Sequence, residues 1–202
     1  MQNDASPAQR QVTTDHPALP LVAALAVMVV WGGTPLFSKV AAEQIDPLLV
    51  GILRTVSAGC LALPLALIKR LPLPTEPRCR RLLAFSGFAA FIAFPLVYTV
   101  GQHATSALHG ALILATLPVF TSLFGTIVER RRVSRTWIVG CALALSSEAI
   151  VIVWRSAGAV GGPSLVGDLT VLASAAVCAM GYVAGARLSQ RGYGAVPTTL
   201  WG

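Results

Sequence analysis

An all-α polytopic membrane protein is the fold class this sequence predicts, and three observations predict it. Six apolar stretches, each long enough to cross a bilayer, fill most of the 202 residues. The composition is 55% hydrophobic and 11% charged, against about 25% charged in ordinary soluble domains. The basic residues gather in alternate loops between the stretches, which is the charge pattern of a chain threaded through a membrane.

The stretches run over Ala18–Ser38, Leu48–Ile68, Leu82–Gln102, Ala107–Val128, Thr136–Trp154 and Val166–Ala186. A helix needs about 20 mostly apolar residues, rising ~1.5 Å each, to span a hydrocarbon core ~30 Å thick. The loops between them are too short to hold a soluble domain. Residues 1–17 are polar and lack the basic start of a secretory signal, so they are expected to form a disordered cytoplasmic tail. Pro47 opens the second stretch, while Pro35, Pro64, Pro95 and Pro118 fall inside stretches, where neighbouring helices can satisfy the freed carbonyls.

Orientation follows from the bases. Of the 15 Lys and Arg, twelve lie in the tail, the second and fourth loops and the C-terminal segment. Only Lys39 and Arg155 lie on the other side, and Arg54 falls within a stretch. Both termini are therefore expected in the cytoplasm. Cys79, in the basic second loop, is the expected reporter of that side for a thiol reagent.

The net charge of +7 does not point to nucleic acid, because the bases sit in the short loops of a membrane chain. Cys60, Cys79, Cys141 and Cys178 show neither a CxxC pair nor metal-ligand spacing, so neither a disulfide nor a metal is expected. The sequence has no GxSxG, HExxH or phosphate-binding loop and no carboxylate pair spaced for acid–base work. No catalytic residue, metal or cofactor is therefore assigned, and the chain is not read as an enzyme.

Several runs resemble the drug/metabolite transporter superfamily, EamA type. VVWGGTPLFSKV (Val29–Val40) resembles the first helix of that family, with a Trp-Gly pair followed by a Lys. ILRTVSAG (Ile52–Gly59) carries the Arg of its second helix, and LPVFTSLFGTIVERRRVSRTWIVG (Leu117–Gly140) resembles its fourth helix and the start of the next. GDLTVLASAAVCAMGYVAGARLSQR (Gly167–Arg191) resembles the opening of its second repeat. The resemblance implies a ten-helix bundle of two inverted five-helix repeats, with residues 18–155 as the first repeat and 166–202 as the start of the second. Five spans are an odd number, so a following copy is inverted. With four of ten helices missing after Gly202, the chain is expected to be partial. The other expectation is a half transporter that pairs with a second copy of itself. The implied function is secondary transport of a small-molecule solute, a metabolite or drug exported across the cytoplasmic (inner) membrane. A non-transporting scaffold or regulatory component is the alternative.

Ionisable residues within spans cost about 2.5–3.5 kcal/mol at mid-bilayer, so each needs a partner or a wet cavity. Arg54 and Glu148 are two such residues, each six residues, ~9 Å, below the outer face. They either pair and face one cavity, or reach separately toward the headgroups. His109, just inside the fourth span, carries an imidazole suited to proton exchange, or is structural. Trp31, Pro35 and Ser38 share a stripe of the first helix that lines a pathway or packs against a neighbour. These six are the candidate pathway residues. Lys39, His103 and Asp168 read as ordinary helix ends, and Gly181 and Gly185 form a close-packing GxxxG.

Overall fold

A computed structural model of the chain describes residues 18–130, 133–156 and 164–202, and among these every regular element is a helix. The expected tail lies outside the described residues. In chain order the elements are α1 (Ala18–Gln44), α2 (Pro47–Ile68), α3 (Pro77–Ala104), α4 (Ala107–Glu129), α5 (Arg135–Ser156), α6 (Leu165–Gln190) and α7 (Ala195–Trp201). α1 from Leu21 onward, α2, α3, α4 and α6 are each long and apolar enough to cross a bilayer. The fifth expected span, Thr136–Trp154, falls within α5, part of which lies outside the residues whose side chains are described.

Exposure fits a lipid solvent. Leu61 is 77% exposed, Ile68 79% and Leu143 65%. Water would penalise so much contiguous apolar surface, whereas hydrocarbon does not. The chain is thus an all-α polytopic membrane protein.

The chain divides within α1 into two units, Met1–Thr34 and Pro35–Gly202. In the first, the described residues continue α1, and Thr34 returns its hydroxyl to the Val30 carbonyl. The second holds the rest. Its core is built by α3, α4 and α6 around Phe94, Tyr98, Ile113, Leu117, Val171, Ala175 and Cys178. The buried positions of α6 recur at helical spacing and are small, so neighbouring backbones approach closely. A Cβ added at Gly101 would lie 2.8 Å from the Val171 backbone nitrogen, and one at Gly181 2.9 Å from that of Ala90. The GxxxG pair therefore does pack, since Gly181 and Gly185 both meet α3.

Local chemistry sets the element ends. Asp46 accepts from the backbone of Leu48 (2.9 Å) and Leu49 (3.2 Å), and Pro47 follows at the first helical position. Pro77 likewise starts α3 five residues before the expected span, and α1 runs six residues past Ser38. α4 is interrupted by a turn at residues 115 and 116, just before Pro118, whose missing N–H cannot continue the ladder. α3 widens into a π segment over Phe88–Ala93 before Pro95. There Thr55 of α2 donates 2.8 Å to the Phe91 carbonyl, giving a disturbed backbone group a partner.

At the end carrying the basic loops, Tyr193 donates to the Pro72 carbonyl (2.7 Å) and Trp201 to that of Leu71 (3.2 Å). Cys79 is buried in this layer against Leu83 and Leu188, which corrects its expected use as a thiol reporter. A cysteine at exposed Arg78 serves instead.

Two outcomes are expected. In a variant lacking native cysteines, Arg78→Cys reacts with an impermeant thiol reagent only after the membrane is opened; labelling of sealed cells would invert the orientation. Gly101→Ala should lower stability by about 1–3 kcal/mol through overpacking. Gly59→Ala, with nothing within 4 Å of the new methyl, should lose none; thermal denaturation in detergent compares them.

Candidate functional site

Polar side chains collect at the end where α1 and α3 finish and α2, α4 and α6 begin. Three caps bring those ends into register. Asp46 caps α2, Ser106 accepts from the His109 backbone (3.2 Å) to cap α4, and Ser164 accepts from Gly167 (3.4 Å) to cap α6. The Ser164 backbone also donates to the Ala104 carbonyl (3.1 Å), tying the start of α6 to the end of α3.

Within this end lies a wholly buried ion-pairing group. Nδ1 of His109 is 3.0 Å from Oδ2 of Asp168, and both side chains are 0% exposed. Thr105 donates its hydroxyl to the other carboxylate oxygen. With both oxygens of Asp168 accepting, Nδ1 of His109 carries the proton on that side. Its other nitrogen, Nε2, is buried without a partner, as are the Gln102 Oε1 and the Tyr98 hydroxyl. Tyr98 and Gln102 share one face of α3, one turn apart. Gln102 lies so close to Gly110 that a Cβ there would be 1.8 Å from its amide oxygen. That glycine follows His109 directly.

Arg54 approaches the same core from α2. Its guanidinium carbon sits 5.9 Å from the Tyr98 ring centroid, and Nη1 donates 3.1 Å to Ser38. A guanidinium over an aromatic face is held by the ring quadrupole and leaves its remaining donors free. Among the described residues it meets no carboxylate. Lys39 instead donates 2.8 Å to the His103 carbonyl and pairs with Glu43 at 3.5 Å, and His103 donates to the Ala42 carbonyl (2.8 Å). These three are helix-end contacts, as expected.

The candidate residues therefore separate. Pro35 and Ser38 are buried in the larger unit, and Ser38 meets Arg54. Trp31 lies in the other unit and is 46% exposed. His109 is at the centre of the polar cluster. Glu148 lies on α5 with its side chain outside the described residues, so the bond found for Arg54 is the one to Ser38. Asp168 is not an ordinary helix end; its carboxylate is 0% exposed and holds His109. Tyr98 and Thr105 were not singled out by the sequence. A carboxylate three residues into an apolar span was the available signal, since such a charge requires a partner.

The opposite end differs in kind. An open cavity of about 290 Å³ between α3, α4 and α6 is walled by Leu82, Phe85, Phe124, Ile127 and Met180, with Arg187 at its margin. Arg187 is spent on the Val128 carbonyl (3.1 Å). No group of three or more possible metal ligands occurs among the described residues.

The model of the EamA-like transporter family matches residues 18–153. The chain is 34% identical over 169 residues to YdeK, an uncharacterized transporter of Bacillus subtilis (strain 168), covering 83% of this chain and 56% of YdeK. It is 30% identical over 176 residues to YedA, an uncharacterized inner membrane transporter of Escherichia coli (strain K12), covering 85% of this chain and 55% of YedA. The chain thus spans about half the length of these curated relatives. No solved structure matches it.

Breaking the buried group should be costly. Asp168→Ala leaves His109 and Thr105 without their acceptor and is expected to lose about 3–5 kcal/mol. Asp46→Ala, which removes only a helix cap, should lose about 1 kcal/mol. Equal losses in thermal unfolding would show that the Asp168 contacts contribute no more than a cap.

Proposed function

The chain belongs to the EamA-like transporter family, and from that footing we propose that it is a secondary transporter that exports a small metabolite or drug across the cytoplasmic membrane. In this reading both termini face the cytoplasm, as the basic loops require. Residues 18–155 form the first five-helix repeat, and residues 166–202 open an inverted second one.

One observation carries the reading. The bundle keeps a half-buried guanidinium, three unpartnered polar atoms and a buried His–Asp pair at one end. A merely structural membrane core gains nothing from polar groups left without partners, since each costs free energy in hydrocarbon. A solute passing through gives them partners. Arg54 offers donors to an anionic or polar group, with Ser38 and Tyr98 fixing its plane. Pro35 and Trp31 belong to the helix that carries Ser38, and Glu148 is proposed as the acidic counterpart on α5. A carrier needs no bond-making residues, and the reading as a carrier rather than an enzyme follows from the family. A scaffold role gains no support from that family.

The test is solute loss from cells preloaded with isotope-labelled metabolites. Overproduction of the chain should speed the release of at least one of them. Arg54→Ala should slow that release about ten- to hundredfold, as expected when a charged hydrogen bond of ~1.5–3 kcal/mol is removed. Exchanging both charges, Arg54→Glu with Glu148→Arg, should restore part of the flux lost in either single swap. Release no faster than in control cells sinks the transporter reading, and no recovery in the double swap sinks the pairing.

A further inference from the structure

The His109–Asp168 pair has an open valence that neither packing nor the solute contacts just described make use of. Asp168 accepts from Thr105 on one oxygen and faces Nδ1 of His109 on the other, so each carboxylate oxygen has a donor. His109 is 1% exposed and its Nε2 has no partner. In the neutral ring that nitrogen holds a bare lone pair, and the buried pair carries one net negative charge. Adding a proton there makes the pair neutral overall.

Among the described residues, Arg54 of α2 brings a cation to this core, over the Tyr98 ring and bonded to Ser38. From α3 come Tyr98, Gln102 and His103, and the His103 ring is turned away to the Ala42 carbonyl. From α6 come Asp168, deeper in the bundle Cys178 and Tyr182, and at its far end Arg187, bonded to the Val128 carbonyl. α5 brings Arg135 at its far end and Cys141, with the side chains of Glu148 and Arg155 outside the described residues. On α4 itself the other titratable residue is Glu129, at its far end. Gln102, packed on Gly110, holds an unpartnered carbonyl oxygen beside this site.

We propose that Nε2 of His109, held by Asp168 and Thr105, is a proton-binding site within the transporter, and that the carried ion is the proton. One proton adds to the Nε2 lone pair and leaves by the same N–H bond, while the other ring proton stays on Nδ1, donated to Asp168 throughout. No other bond forms or breaks, and the buried pair alternates between one negative charge and none. This deepens the transporter reading and rests on it only for the proton's role as a carried ion. A burial-competent neutral state and a charged state that favours water are what a site needs to meet each side of the membrane in turn.

The test is ring-nitrogen NMR on the full chain in lipid vesicles, with 15N-labelled histidine. The chain has three histidines, and His109→Gln assigns the signal by its loss. On acidification from pH 9 to pH 5, the His109 Nε2 signal should change from the lone-pair form to the N–H form, with Nδ1 remaining protonated. Asp168→Asn should release the fixed tautomer, so that the proton of the neutral ring divides between the two nitrogens. A His109 spectrum that is the same at every pH overturns the proposal. The measurement needs no solute. Failure of metabolite release would therefore overturn the transporter reading, whereas an unresponsive His109 overturns the proton site alone.

Discussion

Asp168 has no exposure to solvent, yet it carries a charge at the start of the central helix α6. The arrangement of the larger unit depends on how that charge is answered. One partner comes from the loop after α3 and another from the first turn of α4. A buried carboxylate is tolerated only when its lone pairs are met, so three segments must converge within hydrogen-bond reach of one side chain. The link from the Ser164 backbone to Ala104 and the cap at Ser106 hold the same convergence from the backbone side. Once α6 is fixed here, its small residues determine how closely α3 lies along it for the rest of the span.

That closeness explains why α6 is the core of a unit with so little conventional hydrophobic drive. Lipid tails are as apolar as Leu, so helices in a membrane associate through packing and hydrogen bonds instead. Gly101 against Val171 and Gly181 against Ala90 bring backbones together. Ser86 then donates 2.8 Å to the Gly181 carbonyl, a contact that a bulkier interface would hold out of reach. The polar group at one end and the small-residue seam along the length are thus two parts of one packing solution.

Much of the fold was legible in the sequence. Apolar runs of the right length gave the helices, because a bilayer leaves the backbone few alternatives. Pro47 marked a helix start, but the caps that extend helices past their apolar windows lie in polar residues that hydropathy does not weigh. The site was half legible. Arg54 stood out as a costly residue within a span, and His109 as an imidazole just inside the fourth. Asp168 was mistaken for a helix end because distance from a span boundary does not reveal burial, which depends on whether α3 and α4 cover that turn. Tyr98 and Gln102 are ordinary residues in an amphipathic pattern, and only the facing helices leave their polar atoms without partners.

The π segment of α3 has a consequence for how that helix keeps time. A regular helix advances about 100° per residue, and a π turn holds one residue more than an α turn. The two halves of α3 are therefore out of phase, like two threads cut on one bolt with a slip between them. Below the slip the helix turns Leu83 and Ser86 inward, within it Ala90, and above it Phe94, Tyr98 and Gln102. A strictly regular α3 that seated Ser86 on Gly181 would rotate Tyr98 and Gln102 away from their present setting. The single slipped turn lets one helix keep its tight seam with α6 and still bring Tyr98 and Gln102 to the polar cluster at its end.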